Sequence, residues 1–201
     1  MAIIKANEGK FLVKYARNII ENYFRGADAK VSEKKKELLS MSKGIYVVFR
    51  GFPKGYLRGS AGYPEAVLPL GEAIRELTIK AATMDRRYHP IKSDELGSVI
   101  IEVSILSKPE KLDMSSKDYL NKIRIGRDGL IVEYGGLKSV MLPQFPLEQQ
   151  WSVKELLSLT CLKAGIEPDV CSSAETNLYR FYAAIFSEVE PRGKIIKKKL
   201  V

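Results

Sequence analysis

The chain has one histidine, one tryptophan and two cysteines in 201 residues. Each scarcity removes a class of chemistry. An ordinary zinc site takes about four ligands, and His89, Cys161 and Cys171 do not make a set. A small secreted domain framed by disulfides needs more cysteines. A Ser–His or Cys–His relay has a single base to draw on. That base lies in "DRRYHPI", which reads as a helix exit onto a loop. No run reaches the roughly 18 apolar residues of a membrane span. The opening "MAIIKANEGK" lacks the apolar stretch of a signal peptide, so the expectation is a cytoplasmic chain with no membrane segment. The Walker loop, GxGxxG and HExxH patterns are also missing. So is any internal repeat, and no motif names a cofactor or a metal.

The two cysteines read as free structural thiols. A bridge closing "CLKAGIEPDVC" is the alternative, and it gains weight in a hyperthermophile. Little Asn and Gln against much Lys and Glu fits such a source.

What is present describes an ordinary globular protein, 45% apolar and 28% charged. Residues 1–201 form one domain, or two small lobes sharing a core. The net charge is +9, much of it in Lys30–Glu37 and in the tail from Gly193 to Val201. Such a surplus suits phosphates, whether of nucleic acid or of an anionic membrane. Neither run interleaves aromatic residues, so nucleic-acid binding is allowed but not favoured. The runs read as solvated surface and, over about residues 192–201, a frayed tail.

The periodicity gives the elements. Over residues 7–25, Phe11, Tyr15, Ile19 and Tyr23 form one i, i+4 row, and Leu12, Ala16, Ile20 and Phe24 the next: an amphipathic helix. "GIYVVF" reads as a strand and "LRGSAG" as a short strand with a loop. After Pro69 a helix sets Leu70, Ile74, Leu77, Ala81 and Met84 on one face, with Arg86 and Arg87 at its end. "GSVIIEVSIL" is apolar on nearly both faces and reads as a central strand. "SSKDYLN" is a short helix candidate. A β-meander follows, with turns at Gly126–Gly129 and Gly135–Gly136. Ser152 and Glu155 match a capping box, and Gly165 a helix C-cap. "NLYRFYAAIFSEV" reads as a long strand with Tyr179, Phe181, Ala183, Ile185 and Val189 on one face. Hairpins mixed with helices, without a βαβ rhythm, give the α+β class, a mainly antiparallel sheet flanked by helices.

The one unusual stretch is "GYLRGSAGYPE", Gly55 to Glu65. Its glycines allow positive φ or close approach of another group. Arg58 offers a planar fork of donors suited to a carboxylate or a phosphate. Two readings stand side by side: a site for an anionic ligand, or a Gly-rich connection in which Arg58 makes a structural ion pair.

"YLRGSAGYPEAVLPLGEAI", "EVSIL", "KIRIGRDGLIVEYGG", "LPQFPLEQQW", "CLKAGIEPD" and "LYRFYAAIF" follow one another in an order that closely resembles the AMMECR family, over about residues 10–187. The resemblance implies an intracellular α+β protein of two unequal lobes with a cleft between them, of unsettled activity. It implies Memo-like and radical S-adenosylmethionine proteins as partners. The family hallmark, Leu-Arg-Gly-Cys-Ile-Gly, stands here as Leu57-Arg58-Gly59-Ser60-Ala61-Gly62. Ser60 replaces the thiol, so obligatory thiol chemistry is not expected. The candidate ligand-binding residues are Arg58, Gly59, Ser60 and Gly62, together with Arg127 of "GRDG" and Gln144 of "LPQFP". A catalytic residue is not assigned, and an accessory, non-catalytic role is the alternative. Trp151 reads as packing.

Overall fold

A computed structural model of the chain describes residues 4–29, 35–115, 118–171, 173 and 175–200. Most of the basic run Lys30–Glu37 lies outside these residues, as do Ser116 and Lys117 of the short helix expected at "SSKDYLN". The chain divides into two compact units, Met1–Leu106 with Ala184–Lys198, and Ser107–Ala183 with Lys199–Val201. The architecture is α+β.

The first unit opens with α1 (Ala6–Phe24) and a short α2 (Lys36–Ser40). Strands β1 (Ile45–Gly51) and β2 (Leu57–Tyr63) form a hairpin. Helix α3 (Leu70–Thr83) leads, through a 3₁₀ turn at Ser93–Gly97, to β3 (Val99–Leu106). β1 pairs antiparallel with both β2 and β3, with Val47 opposite Ala61 and Val103. Alternation sends Ile45, Val47 and Phe49 of β1 and Ile101, Val103 and Ile105 of β3 into one core with Leu12, Ala16 and Ile20 of α1 and Ile74 and Leu77 of α3. β3 is buried over all but one residue, as its doubly apolar sequence requires.

One member of this core is not apolar. Arg17 of α1 donates to both carboxylate oxygens of Glu188, at 3.0 and 2.5 Å, and to the carbonyls of Leu96 and Val99. Glu188 also accepts from the Ile101 amide at 2.9 Å. Both side chains are under a tenth exposed. Every donor and acceptor here is served, the condition under which a buried pair is tolerated.

The second unit holds β4 (Glu110–Leu112), β5 (Asp128–Tyr134), β6 (Leu137–Met141), α4 (Gln144–Glu148), α5 (Val153–Ala164), α6 (Pro168–Cys171) and most of β7 (Asn177–Glu188). β7 pairs antiparallel with β4 and β5, and β5 with β6. Gly135 and Gly136 both have positive φ, 55° and 83°, as a two-residue hairpin turn demands. The other expected turn is shorter than the sequence reading: Gly126 has φ 78°, but Gly129 already lies within β5. The Ser152–Glu155 capping box forms, and Gly165 ends α5 with φ 77°. Trp151 packs on this unit's core, a cluster that includes Leu156, Leu157 and Leu178.

Three expectations are corrected. Cys161 and Cys171 are not free thiols but a disulfide, with Cα atoms 6.0 Å apart. The Gly165 reversal returns the chain so that Ile166 donates to the Cys161 carbonyl, and α6 brings Cys171 alongside. β7 does not present a single apolar face: Phe181 and Ile185 are buried, but so are Leu178, Ala184 and Phe186, while Val189 lies beyond the strand and is exposed. The strand serves two different cores along its length, so one alternation cannot describe it.

The tail is the third. Residues 195–197 form β8, pairing with Phe186–Glu188 of β7. Ile195 joins the core, the Lys198 amide donates to Ile185, and Lys198 Nζ reaches the fully buried Glu102 carboxylate at 2.8 Å. Deleting residues 192–201 therefore costs the burial of Ile195, roughly 2 kcal/mol, and exposes a buried carboxylate. The melting temperature is expected to fall by about 5 °C or more, at roughly 2–4 °C per kcal/mol for a chain of this size. An unchanged melting curve would show that the strand is not docked.

Candidate functional site

β2 ends the strand order of its sheet, and its residues Leu57–Tyr63 are the unusual stretch. Neither Gly59 nor Gly62 has positive φ. Their reason is close approach. A Cβ on Gly59 would collide with the carbonyl oxygen of Ala81 in the last turn of α3, and one on Gly62 with the ring of Tyr46. The helix thus lies directly on strand backbone, and the segment leaving it runs along the sheet edge.

That segment, Asp85 to Pro90, is stitched to β2 by side chains. The Ser60 amide donates to Asp85 Oδ2 at 2.8 Å. Arg87 donates from Nε and Nη2 to the two Asp85 oxygens, at 2.9 and 2.6 Å, and from Nη2 to the Ser60 hydroxyl at 2.7 Å. Arg58 donates to the carbonyls of His89 and Pro90 and to both oxygens of Glu95, at 3.1 and 2.9 Å. Its side chain is 14% exposed and that of Glu95 36%. Burial opposes ionisation of both acids. Even so, Arg87 and the Ser60 amide hold Asp85 below its ordinary range, and the Lys92 amide and Arg58 do the same for Glu95.

Beside these contacts opens a pocket of about 420 Å³ lined by Arg58, Arg86, Arg87, Tyr88 and His89. The Arg87 guanidinium also lies 5.5 Å from the centre of the Tyr88 ring. Arg86 is exposed and makes no hydrogen bond or ion pair among the described residues. The pocket is thus cationic, with its nearest carboxylates already consumed. The Ser60 hydroxyl accepts from Arg87, and among the described residues no histidine or carboxylate hydrogen-bonds to it to take its proton.

The AMMECR1 family model matches residues 13–186. The chain belongs to the AMMECR1 family. It is 46% identical over 202 residues, all of both chains, to Protein MJ0810 of Methanocaldococcus jannaschii. It is 41% identical to Protein MK0488 of Methanopyrus kandleri, over 96% of this chain and 94% of that one. Uncharacterized Protein PH0010 of Pyrococcus horikoshii superposes with a TM-score of 0.92 at 37% identity, covering 98% of this chain and 100% of that one. These relatives are archaeal, thermophiles among them. No helix among the described residues is long and apolar enough to cross a membrane.

Of the six candidate residues, Arg58, Gly59, Ser60 and Gly62 share β2. Arg127 and Gln144 belong to the second unit. Arg127 pairs through Nε and Nη2 with the fully buried Asp128, at 2.8 and 2.6 Å, donates to the Lys122 carbonyl, and lies 5.4 Å from the Tyr182 ring centre. Gln144 is fully buried in the first turn of α4. Sequence reasoning missed Asp85, Arg86, Arg87 and Glu95 as neighbours of the hallmark. The signal was an Asp followed by two Arg at a helix exit, 25 residues from Ser60.

Two predictions follow from these contacts. Arg58→Ala strips partners from Glu95 and two carbonyls. It should cost roughly 2 kcal/mol, below the 3–5 of a fully buried pair because Glu95 is part-exposed. A loss within about 0.5 kcal/mol in thermal unfolding would return Arg58 to the ligand-facing reading. Asp85 and Glu95 titrate below their ordinary values of 3.8 and 4.5 in the folded chain. Their contribution is complete above those values and is lost as pH falls through the lowered folded ones. Asp85→Asn should therefore destabilise at neutral pH and lose less on acidification below about pH 4 than the wild type. Parallel acid unfolding curves would refute this role for Asp85.

Proposed function

We propose that the pocket formed by Arg58, Arg86, Arg87, Tyr88 and His89 binds a small anionic ligand. The observation carrying this reading is that Arg86 stands exposed and uncompensated at a pocket whose acids, Asp85 and Glu95, are internally paired. Arg58 shapes the pocket by pinning the His89 and Pro90 carbonyls. Arg86 and the free Nη1 of Arg87 supply the charge. Guanidinium forks suit carboxylate and phosphate oxygens. Ser60 lacks a base and serves as an acceptor for Arg87, so the reading is one of recognition rather than hydroxyl chemistry. The Memo-like and radical S-adenosylmethionine partners implied by the resemblance belong to the same proposal. An accessory subunit without catalysis is the second reading, favoured by the hold of Arg58 on Glu95 and two carbonyls within the protein.

Thermal unfolding with sulfate, inorganic phosphate, pyrophosphate and citrate tests the proposal. An anion at about 100 times its Kd adds roughly 2.7 kcal/mol, a rise of several degrees. The rise should vanish in Arg86→Ala and persist in Ser60→Ala. No rise with any of the four anions, or a rise that Arg86→Ala leaves intact, would overturn it.

A further inference from the structure

The pocket does not stand alone at its end of the sheet. Gly51 of β1 faces Val99 of β3, and Arg50 faces Leu57 of β2, so residues 52–56 and the segment 85–98 emerge at the same end. The Phe52 amide donates to the Ser98 carbonyl at 2.7 Å, joining the two loops. The hairpin tip is braced: Gly51 donates to Tyr56, Gly55 to Gly51, and Arg50 Nη1 to Gly55, at 2.9, 2.7 and 3.1 Å. Gly55 takes φ 75° to close it. On this rigid tip Phe52 is 40% exposed and Tyr56 56%. Between them stands Lys54, exposed and unpaired among the described residues. Arg58, two residues beyond Tyr56, leads into the pocket with Arg86 and Arg87. Asp94 is exposed, but the other acids of these loops, Asp85 and Glu95, are paired.

Exposed aromatic rings interleaved with unpaired cations on a pre-organised surface are the requirements for holding a single-stranded nucleic acid. Rings stack on bases of any sequence, and cations track the phosphates. The basic runs at Lys30–Glu37 and the tail lack aromatics; this end of the sheet does not. The chain's charge of +9 adds a long-range attraction for a polyanion. We infer that Phe52, Lys54 and Tyr56, with the Arg86–Arg87 pocket, form a docking surface for single-stranded nucleic acid. One backbone phosphate occupies the pocket, and the adjoining bases stack on the hairpin tip. This inference rests on the anion-binding reading of the pocket and names the class of molecule that carries the anion.

Fluorescence anisotropy with labelled 12-nucleotide oligo-U and oligo-dT tests it. Binding should be present at low salt and fall with a slope of log K against log salt of about −1.4, from roughly two neutralised phosphates, one in the pocket and one at Lys54, at about 0.7 each. Phe52→Ala with Tyr56→Ala should weaken binding at least tenfold, each lost stack being worth about that much or more. Because the Tyr56 ring also covers Gly51, Tyr56→Leu is the companion variant: it keeps an apolar cover but loses the π-face, and it should weaken binding while melting like the wild type. A 12-base-pair duplex should bind more weakly than either single strand. Absence of oligonucleotide binding, equal binding of duplex, or indifference to the aromatic substitutions overturns the inference. If sulfate or phosphate still raises the melting temperature through Arg86 while oligonucleotides fail, the small-anion reading survives alone. If neither binds, both fall.

Discussion

The contact on which the site depends is the one between the backbone of Gly59 and the Ala81 carbonyl. It brings the last turn of α3 onto the strand itself, a distance at which no other residue at position 59 fits without displacing backbone. From that contact the rest is forced. The chain leaving α3 has to run along the edge of β2, where an edge amide lacks a ladder partner. Asp85 supplies an acceptor for Ser60, and its second oxygen is free to orient Arg87. Arg87 then covers the Ser60 hydroxyl, while Arg58 reaches across to close the segment at His89, Pro90 and Glu95. The glycines of the hallmark are therefore architectural before they are anything else, and the ligand reading falls on the cations that this architecture leaves over.

Local chemistry made much of the fold legible in the sequence. α1, α3, the Ser152 cap, the Gly135–Gly136 turn and the buried β3 all follow from spacing within one element, where 3.6- and 2-residue periods act directly. What escaped were pairings between distant segments. The Cys161–Cys171 bridge depends on how α6 returns after Gly165. β8 looked like a charged tail because its apolar content is two isoleucines; a three-residue strand is decided by the neighbour it finds, not by its own pattern. Arg17 borders the apolar stripe of α1, and it is buried because Glu188 and two carbonyls meet it there. The site divides the same way. Arg58 was visible because glycines surround it. Asp85 and Glu95 were not, because the edge they decorate lies 25 to 37 residues away.

The arginines of the chain illustrate why counting charge says little about function. Arg17, Arg58, Arg127 and Arg180 each hold a carboxylate through the fork, and all four hold main-chain carbonyls in the same grip. Lysine, a point charge on a flexible stem, does not hold two acceptors in one plane. These arginines fasten loops to sheets in both units and are spent in doing so. The cations to ask about in a net +9 are those without an internal partner, and Arg86 and Lys54 are two of these among the described residues, at one end of one sheet.

Position 60 brings these strands of reasoning together. The family hallmark that this stretch resembles carries a cysteine there, and this chain carries a serine. A hydroxyl does not ionise near neutrality without a base, and Ser60 Oγ accepts from a guanidinium, that of Arg87. A cationic donor favours the anionic form of whatever side chain accepts from it, so the same slot would bias a thiol towards thiolate while leaving a hydroxyl a neutral acceptor. The constraint common to both is smallness and an acceptor facing Arg87. Position 60 thus helps to hold Arg87 in place, through an acceptor that needs no ionisation.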